Sequence, residues 1–172
     1  MSFKLFIDSL HNKLQGPLPG KSAHIKLAPY RESTLGTDFS KYDPKLASTL
    51  MLLYENKNNI KFALIQRPDY SGTHGGQISF PGGKNENGET LKETAIRETM
   101  EEIGINPEDI QILGKLSQVF VPPSNYLISP FIGFMNQEPK FQPDHKEVTK
   151  ILEIELDELL KDNVIKEKLI TV

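Results

Sequence analysis

Three glutamates set the chemistry available to this chain. Glu98, Glu101 and Glu102 stand at i, i+3 and i+4, so on a helix their carboxylates share one face, within reach of a common ion. Like charges held so close destabilise an isolated helix unless a cation offsets them. Hard oxygen donors suit Mg²⁺ or Mn²⁺ rather than a soft metal. With such an ion, clustered carboxylates can neutralise a pyrophosphate and position or acidify an attacking water. Phosphoryl chemistry asks for charge stabilisation more than for covalent catalysis. The competing reading is a solvated acidic face held by Lys92 and Arg97, and the surrounding pattern decides between the two.

That pattern runs from Gly82 to Ile105, GGKNENGETLKETAIRETMEEIGI. A Gly-rich loop leads into a helix beginning near Thr90, with Leu91, Ala95 and Ile96 as its inner stripe and Ile103 near its end. Gly104 is placed as the left-handed residue just past the helix. The stretch resembles the Nudix box, G-x5-E-x7-R-E-U-x-E-E-x-G-U, where U is bulky and apolar. Gly83, Glu89, Arg97, Glu98, Glu101, Glu102, Gly104 and Ile105 occupy the fixed positions, and Thr99 stands where a larger aliphatic residue is usual. The resemblance implies a Nudix hydrolase that cleaves a nucleoside diphosphate linked to another moiety. It implies an α/β/α sandwich on a mixed sheet, with the box as loop, helix, loop. Glu98, Glu101 and Glu102 match the metal ligands, Arg97 the arginine that ion-pairs a box glutamate, and Glu89 the glutamate that fixes the loop.

Residues outside the box bear on substrate. Leu64-Ile65-Gln66-Arg67, His74, Gly76-Gln77 and Phe80-Pro81-Gly82-Gly83 resemble the coenzyme A pyrophosphatase branch, as do Tyr126–Gly133 and Glu147-Val148 downstream. Arg67, His74, Gly82 and Gly83 are the expected substrate contacts, since glycine permits close backbone approach to phosphate. Glu147 is a candidate further metal ligand or general base on a loop opposite the box. Phe80, Phe120 and Tyr126 either stack a base or belong to the core. Ser71-Gly72 replaces the branch's Leu-Arg pair, which removes one arginine suited to the 3′-phosphate of coenzyme A. Coenzyme A or an acyl derivative, cleaved to 3′,5′-ADP and a 4′-phosphopantetheine, is the leading substrate. The alternatives are another derivative such as ADP-ribose, or a non-catalytic nucleotide-binding module. The intact trio of glutamates argues against the last.

The elements that must position these residues follow from composition and periodicity. The chain has 172 residues, 37% hydrophobic and 25% charged, which suits one Nudix domain spanning 1–172. Within it, 1–44 is an N-terminal helix and loop and 45–161 the core. Family members continue with another strand and helix, so the C-terminal end reads as either short or trimmed. A net charge of −3 leaves no basic footprint for nucleic acid or an anionic membrane, and no run reaches a membrane span. The expected partner is a small nucleotide, with a homodimer left open. Cysteine is absent, which suits a reducing cytoplasm, the expected location.

Residues 3–15 show helical period. Residues 21–44 read as a loop with room for a short turn, in which Tyr30-Arg31-Glu32 could reach a ligand. Residues 48–54 and 61–66 form a hairpin across 55–59, unless the first begins as a helix from Pro44. Residues 77–80, 110–121, 126–135 and 148–156 read as strands, with Pro130 marking an edge or bulge. A short helix at 157–161 precedes a strand-like end at 164–172.

Overall fold

The computed structural model describes residues 2–27, 39–69, 75–161 and 164. In chain order these build α1 (Phe3–Leu14), α2 (Lys21–Leu27), β1 (Lys45–Asn56), β2 (Asn59–Gln66), β3 (Ile78–Ser79) and β4 (Gly82–Lys84). There follow α3 (Leu91–Ile103), β5 (Gln111–Lys115), β6 (Val119–Val121), β7 (Tyr126–Phe134), β8 (Lys150–Glu155) and α4 (Leu156–Leu159).

β1 organises the sheet because its two faces are both apolar. Leu50, Leu52 and Tyr54 join Ala63 and Ile65 of β2 under Ala95 and Ile103 of α3. The intervening Leu53, with Phe62 of β2, packs against Phe3 and Ile7 of α1 and Leu156 of α4. Side chains alternate across a strand, so this pattern buries the sheet between helices on both sides, an α/β/α sandwich. The sheet is mixed. β1 runs parallel to β7, and the other pairings are antiparallel. The path β3-β2-β1-β7-β5 carries β4 on β1, β6 on β7 and β8 on β2.

β1 and β2 join through Lys57 and Asn58, both at positive φ (49° and 66°), the two-residue turn that matches strand twist. β1 begins at Lys45, directly after Pro44, so the helical alternative for its start is wrong. The loop reading of 21–44 also needs correction. Lys21–Leu27 is a helix, while the short turn the loop had room for is the 3₁₀ turn Phe39–Tyr42; Tyr30, Arg31 and Glu32 lie outside the described residues. The expected strand at 110–121 is two strands, β5 and β6. They part around Leu116, whose N–H donates to the Pro130 carbonyl at 2.8 Å.

Pro130 is neither at an edge nor in a bulge, since β7 has β1 on one side and β5 and β6 on the other. A residue's N–H and C=O point the same way along a strand, so its missing N–H faces that break. The strand expected from Val148 begins at Lys150, and Val148 is instead a buried turn residue. Apart from Val164, the strand-like C-terminal stretch lies outside the described residues. None of the described helices is long and apolar enough to cross a membrane.

Candidate active site

α3 presents the acidic face because both of its ends are fixed. Thr90 caps the start by accepting from the Glu93 N–H, and Glu93 returns a bond to the Thr90 N–H, a reciprocal capping box. Gly104 closes the other end at φ 71°, where a Cβ would meet the Gln142 backbone oxygen at 2.6 Å. Thr99 is fully buried and donates its hydroxyl to the Ala95 carbonyl at 2.7 Å. The shorter side chain is thereby satisfied within the helix.

Arg97 is the hub of the box. Its Nε and Nη2 grip both oxygens of Glu89 at 3.0 and 2.9 Å, and Nη2 also donates to the Lys84 carbonyl at 3.0 Å. Its Nη1 reaches Glu98 Oε1 and Glu101 Oε2, both at 2.9 Å. Glu89 further accepts from the Glu86 N–H and the Thr94 hydroxyl, and Asn85 bonds Thr94. The Arg97 bonds hold the Glu89 carboxyl down at about 2. The same Glu89 bonds hold the Arg97 guanidinium above its already high value.

Glu102 is turned the other way. It is fully buried, accepting from the Gly82 N–H at 2.8 Å and from Arg67 Nη2 at 3.2 Å. Burial pushes its carboxyl up to about 7 despite these bonds, and the charges of Glu98 and Glu147 add to the rise. Glu98 is also raised, first by burial, with Glu101 and Glu147 adding. Glu147 itself is exposed, on a turn in which its N–H donates to the Asp144 carbonyl at 2.9 Å. Two residues on, the Thr149 N–H donates to the Gln66 carbonyl of β2 at 2.8 Å and ties this turn to the sheet. Glu147 thus stands across from the box, close enough for its charge to act on two of its glutamates.

The expected glycine loop at Gly82-Gly83 is a strand. β4 pairs antiparallel with β1, Gly82 opposite Thr49 and Gly83 opposite Ser48. A Cβ on Gly83 would lie 2.5 Å from the Glu98 carboxylate, and one on Gly82 would lie 2.2 Å from the Ser48 carbonyl. Gly82 is therefore required by its close approach to the β1 backbone, whereas at Gly83 the close neighbour is the end of the Glu98 side chain. Arg67 sits just beyond β2, with its Nη2 also 3.4 Å from the Gly82 carbonyl. His74 and the Ser71-Gly72 pair lie outside the described residues.

A cavity of about 420 Å³ adjoins this cluster, lined by Arg67, Gly82 and Gly83 together with Ala47, Thr49, Phe80, Tyr126 and Ile128. Its floor is the sheet face opposite α3, because Ala47 and Thr49 share β1's α1-facing side with Leu53. Sequence reasoning missed Ala47, Thr49, Ile128 and Lys84, all at this cavity. Alternation within β1 and β7 could have signalled Ala47, Thr49 and Ile128, whereas Lys84 joins them only through the pairing of β4 with β1. Of the aromatic candidates, Phe120 is buried and stacks on Phe39 at 4.8 Å. Phe80 packs on Phe62 at 5.8 Å while lining the cavity, and Tyr126 lines it too.

The donors suit a hard divalent cation, since carboxylate oxygens of Glu98 and Glu101 already meet at one cationic point, Arg97 Nη1. Among the described residues no three Asp, Glu or His side chains cage an ion as they stand. The geometry accounts for this: Arg97 holds two of the carboxylates, and Gly82 and Arg67 hold the third.

Comparison with known proteins accords with this arrangement. A family model described as NUDIX domain matches residues 44–170. Nudix hydrolase 3 of Caenorhabditis elegans is 37% identical over 101 residues, 57% of this chain and 42% of that protein. Peroxisomal coenzyme A diphosphatase NUDT7 of Mus musculus is 30% identical over 142 residues, 82% of this chain and 60% of that protein. The chain thus spans between 42% and 60% of the length of these curated relatives. The crystal structure of a C. elegans Ap4A hydrolase binary complex shares the fold, with a TM-score of 0.56 at 22% identity over 67% of this chain and 83% of that one. With its matched model covering the box, the sheet and the cavity, the chain belongs to the NUDIX family, alongside relatives named as Nudix hydrolases.

Proposed function

We propose that this chain uses Mg²⁺ or Mn²⁺ to hydrolyse the pyrophosphate bond of a nucleoside diphosphate derivative. Coenzyme A or an acyl derivative is the leading substrate, released as 3′,5′-ADP and a 4′-phosphopantetheine. The observation that carries the reading is the convergence of Glu98 and Glu101 on Arg97 Nη1, 2.9 Å each, beside a buried Glu102 that bonds the cavity-lining Gly82. Glu98, Glu101 and Glu102 would hold the ion, with Glu147 beside them, and its charge would offset the pyrophosphate and acidify a water.

The remaining roles belong to the chain itself. Arg97 positions two carboxylates and ties them through Glu89 and the Lys84 carbonyl to the start of the box. Glu102 anchors β4, so the Gly82-Gly83 backbone can approach a phosphate closely. Arg67 offers its guanidinium to that phosphate from the cavity wall. Glu147, exposed opposite the box, is placed to accept a proton from water. The name of the mouse relative supports the coenzyme A reading. A cytoplasmic location is part of the proposal, although that same name is peroxisomal.

The test is product analysis with Mg²⁺ and, separately, coenzyme A, ADP-ribose, NADH and a nucleoside triphosphate. 3′,5′-ADP from coenzyme A is the expected product. Cleavage of ADP-ribose alone would keep the hydrolase and discard coenzyme A. No cleavage of any would leave a binding module. Glu98→Gln with Glu101→Gln should lower turnover at least about 10²-fold.

A further inference from the structure

The cavity beside the box has a floor without charge and a rim with two cations that the proposed reaction leaves unused. The register sets this out. Lys84 lies opposite Ala47 on β4, and Ala47 opposite Ile128 on β7; one step along, Lys45 lies opposite Tyr126, and Tyr126 opposite Val121 on β6. Directly opposed residues in a sheet project to the same face, and residues two apart on a strand share it too. Lys45, Ala47 and Thr49 of β1 therefore stand on one face with Lys84, Tyr126, Ile128 and Val121. Ala47, Thr49, Lys84, Tyr126, Ile128 and Val121 are cavity walls.

Lys45 belongs to the same rim. Its Nζ lies 5.7 Å from the Tyr126 ring centroid, over a ring that lines the cavity. From strand spacings, the Cα atoms of Lys45 and Lys84 are about 8 Å apart. Two lysine stems rising from one face at that distance can bring both ammonium groups to a single phosphate. Both side chains are exposed, and among the described residues neither forms an ion pair. An exposed lysine is ordinarily a solvated charge. Here two of them flank one apolar cavity, at the end of the β4 glycine pair that reaches the carboxylates.

We propose that Lys45 and Lys84 form a second anion subsite, taking a phosphate that the substrate carries apart from its diphosphate, while a nucleobase lies on the apolar floor beside Phe80 and Tyr126. The occupant is the 3′-phosphoadenosine end of a coenzyme A-type substrate. The uncharged pantetheine arm has nothing to offer two cations, so it leads away from this cavity toward solvent. The cavity volume of about 420 Å³ is within the range that holds small ligands. This inference rests on the proposed hydrolase reading and sharpens it, assigning one end of the substrate to one side of the cluster.

The test compares adenosine 3′,5′-bisphosphate with adenosine 5′-monophosphate by calorimetry, in the wild-type chain and in Lys45→Gln/Lys84→Gln. The wild type should bind the bisphosphate about tenfold more tightly. The double variant should bind both nucleotides alike, with its melting temperature unchanged. Equal binding of the two nucleotides by the wild type would overturn the subsite. So would a variant that keeps the preference, or one that loses affinity for both in equal measure.

Turnover separates this idea from its parent. If the chain cleaves coenzyme A and its 3′-dephospho form with equal kcat/KM, the hydrolase stands and the subsite falls. If it shows the nucleotide preference and cleaves nothing, the subsite stands and the hydrolase falls.

Discussion

The two adjacent glycines of β4 should respond to the same substitution in opposite ways. At Gly82 an added Cβ would meet the Ser48 carbonyl at 2.2 Å, the Thr49 Cα at 2.7 Å and the Thr49 Cγ2 at 2.9 Å. Two of these atoms are backbone of the paired strand and cannot swing aside. Relief to an ordinary contact of 3.4 Å requires β4 to move off β1 by more than an ångström. Such overpacking costs about 3 kcal/mol or more, which for a chain of this size lowers the melting temperature by about 6–12 °C. At Gly83 the three atoms nearest the added Cβ all belong to the Glu98 carboxylate, each at 2.5 Å. That carboxylate ends a flexible side chain and can rotate away. The loss is then one bond to Arg97, which keeps Glu89, Glu101 and the Lys84 carbonyl. Stability should change by about 1 kcal/mol or less.

Gly83→Ala should therefore melt within about 4 °C of wild type yet lose metal-dependent turnover by about 10²-fold or more. Thermal melts without metal, Mn²⁺ calorimetry and single-substrate turnover read the two effects apart. The reasoning fails if Gly82→Ala melts like wild type, or if Gly83→Ala retains both Mn²⁺ affinity and turnover.

Three further outcomes follow from other contacts. Arg97→Lys replaces a planar fork with a point charge, so it cannot serve Glu89, Glu98 and Glu101 together; turnover should fall at least about tenfold while the fold persists by circular dichroism. Glu89 has its folded carboxyl at about 2, below the ordinary value of about 4.3. Its contribution is thus present above about pH 4.3 and is lost as pH falls toward 2; the wild-type melting temperature should drop more between about pH 6 and pH 3 than that of Glu89→Gln. Tyr54 is fully buried with its hydroxyl donating to Glu153 at 2.6 Å, which ties β1 to β8. Tyr54→Phe should cost about 1 kcal/mol, read as a melting temperature lower by about 2–4 °C, with turnover unchanged.

The site was far more legible in the sequence than its surroundings, for physical reasons. Glu98, Glu101 and Glu102 crowd one face of a helix against its own stability, and a pattern that defies local propensity marks itself. The bounds of α3 also came through, because Thr90 and Gly104 are residues whose local chemistry ends a helix. β4 could not be seen. Gly-Gly-Lys has no β-branched residue and no alternation, and it is a strand only because β1 offers an edge that glycine alone can approach so closely. α2 has seven residues, too few for a period to show. The break between β5 and β6 falls at Leu116-Ser117-Gln118, where no proline or glycine pair announces a turn, and it is matched by Pro130 on the neighbouring strand. Local rules assign proline to an edge, while here its missing N–H faces a place where the next strand has already parted. The cavity is the least legible feature, since Ala47, Ile128 and Lys84 meet only through the lateral register of three strands.

That register also explains why the chemistry sits where it does. The carboxylates belong to α3, on one face of the sheet, and the cavity floor belongs to the other. A continuous layer of side chains would separate them. β1's edge is instead shared: β2 pairs with its far end, from Leu53 to Asn56, and β4 with Ala47 to Thr49. Where the two strands part, Arg67 leaves β2 and Gly82 enters β4, and both bond the same buried Glu102. The glycine pair thins the sheet at this fork, so that Glu98 presses on the backbone of Gly83 from one side while the cavity opens on the other. A phosphate chain lying at the fork would meet the carboxylate cluster and the cavity at once. A bulky residue at either glycine would break that connection before it altered any charged group.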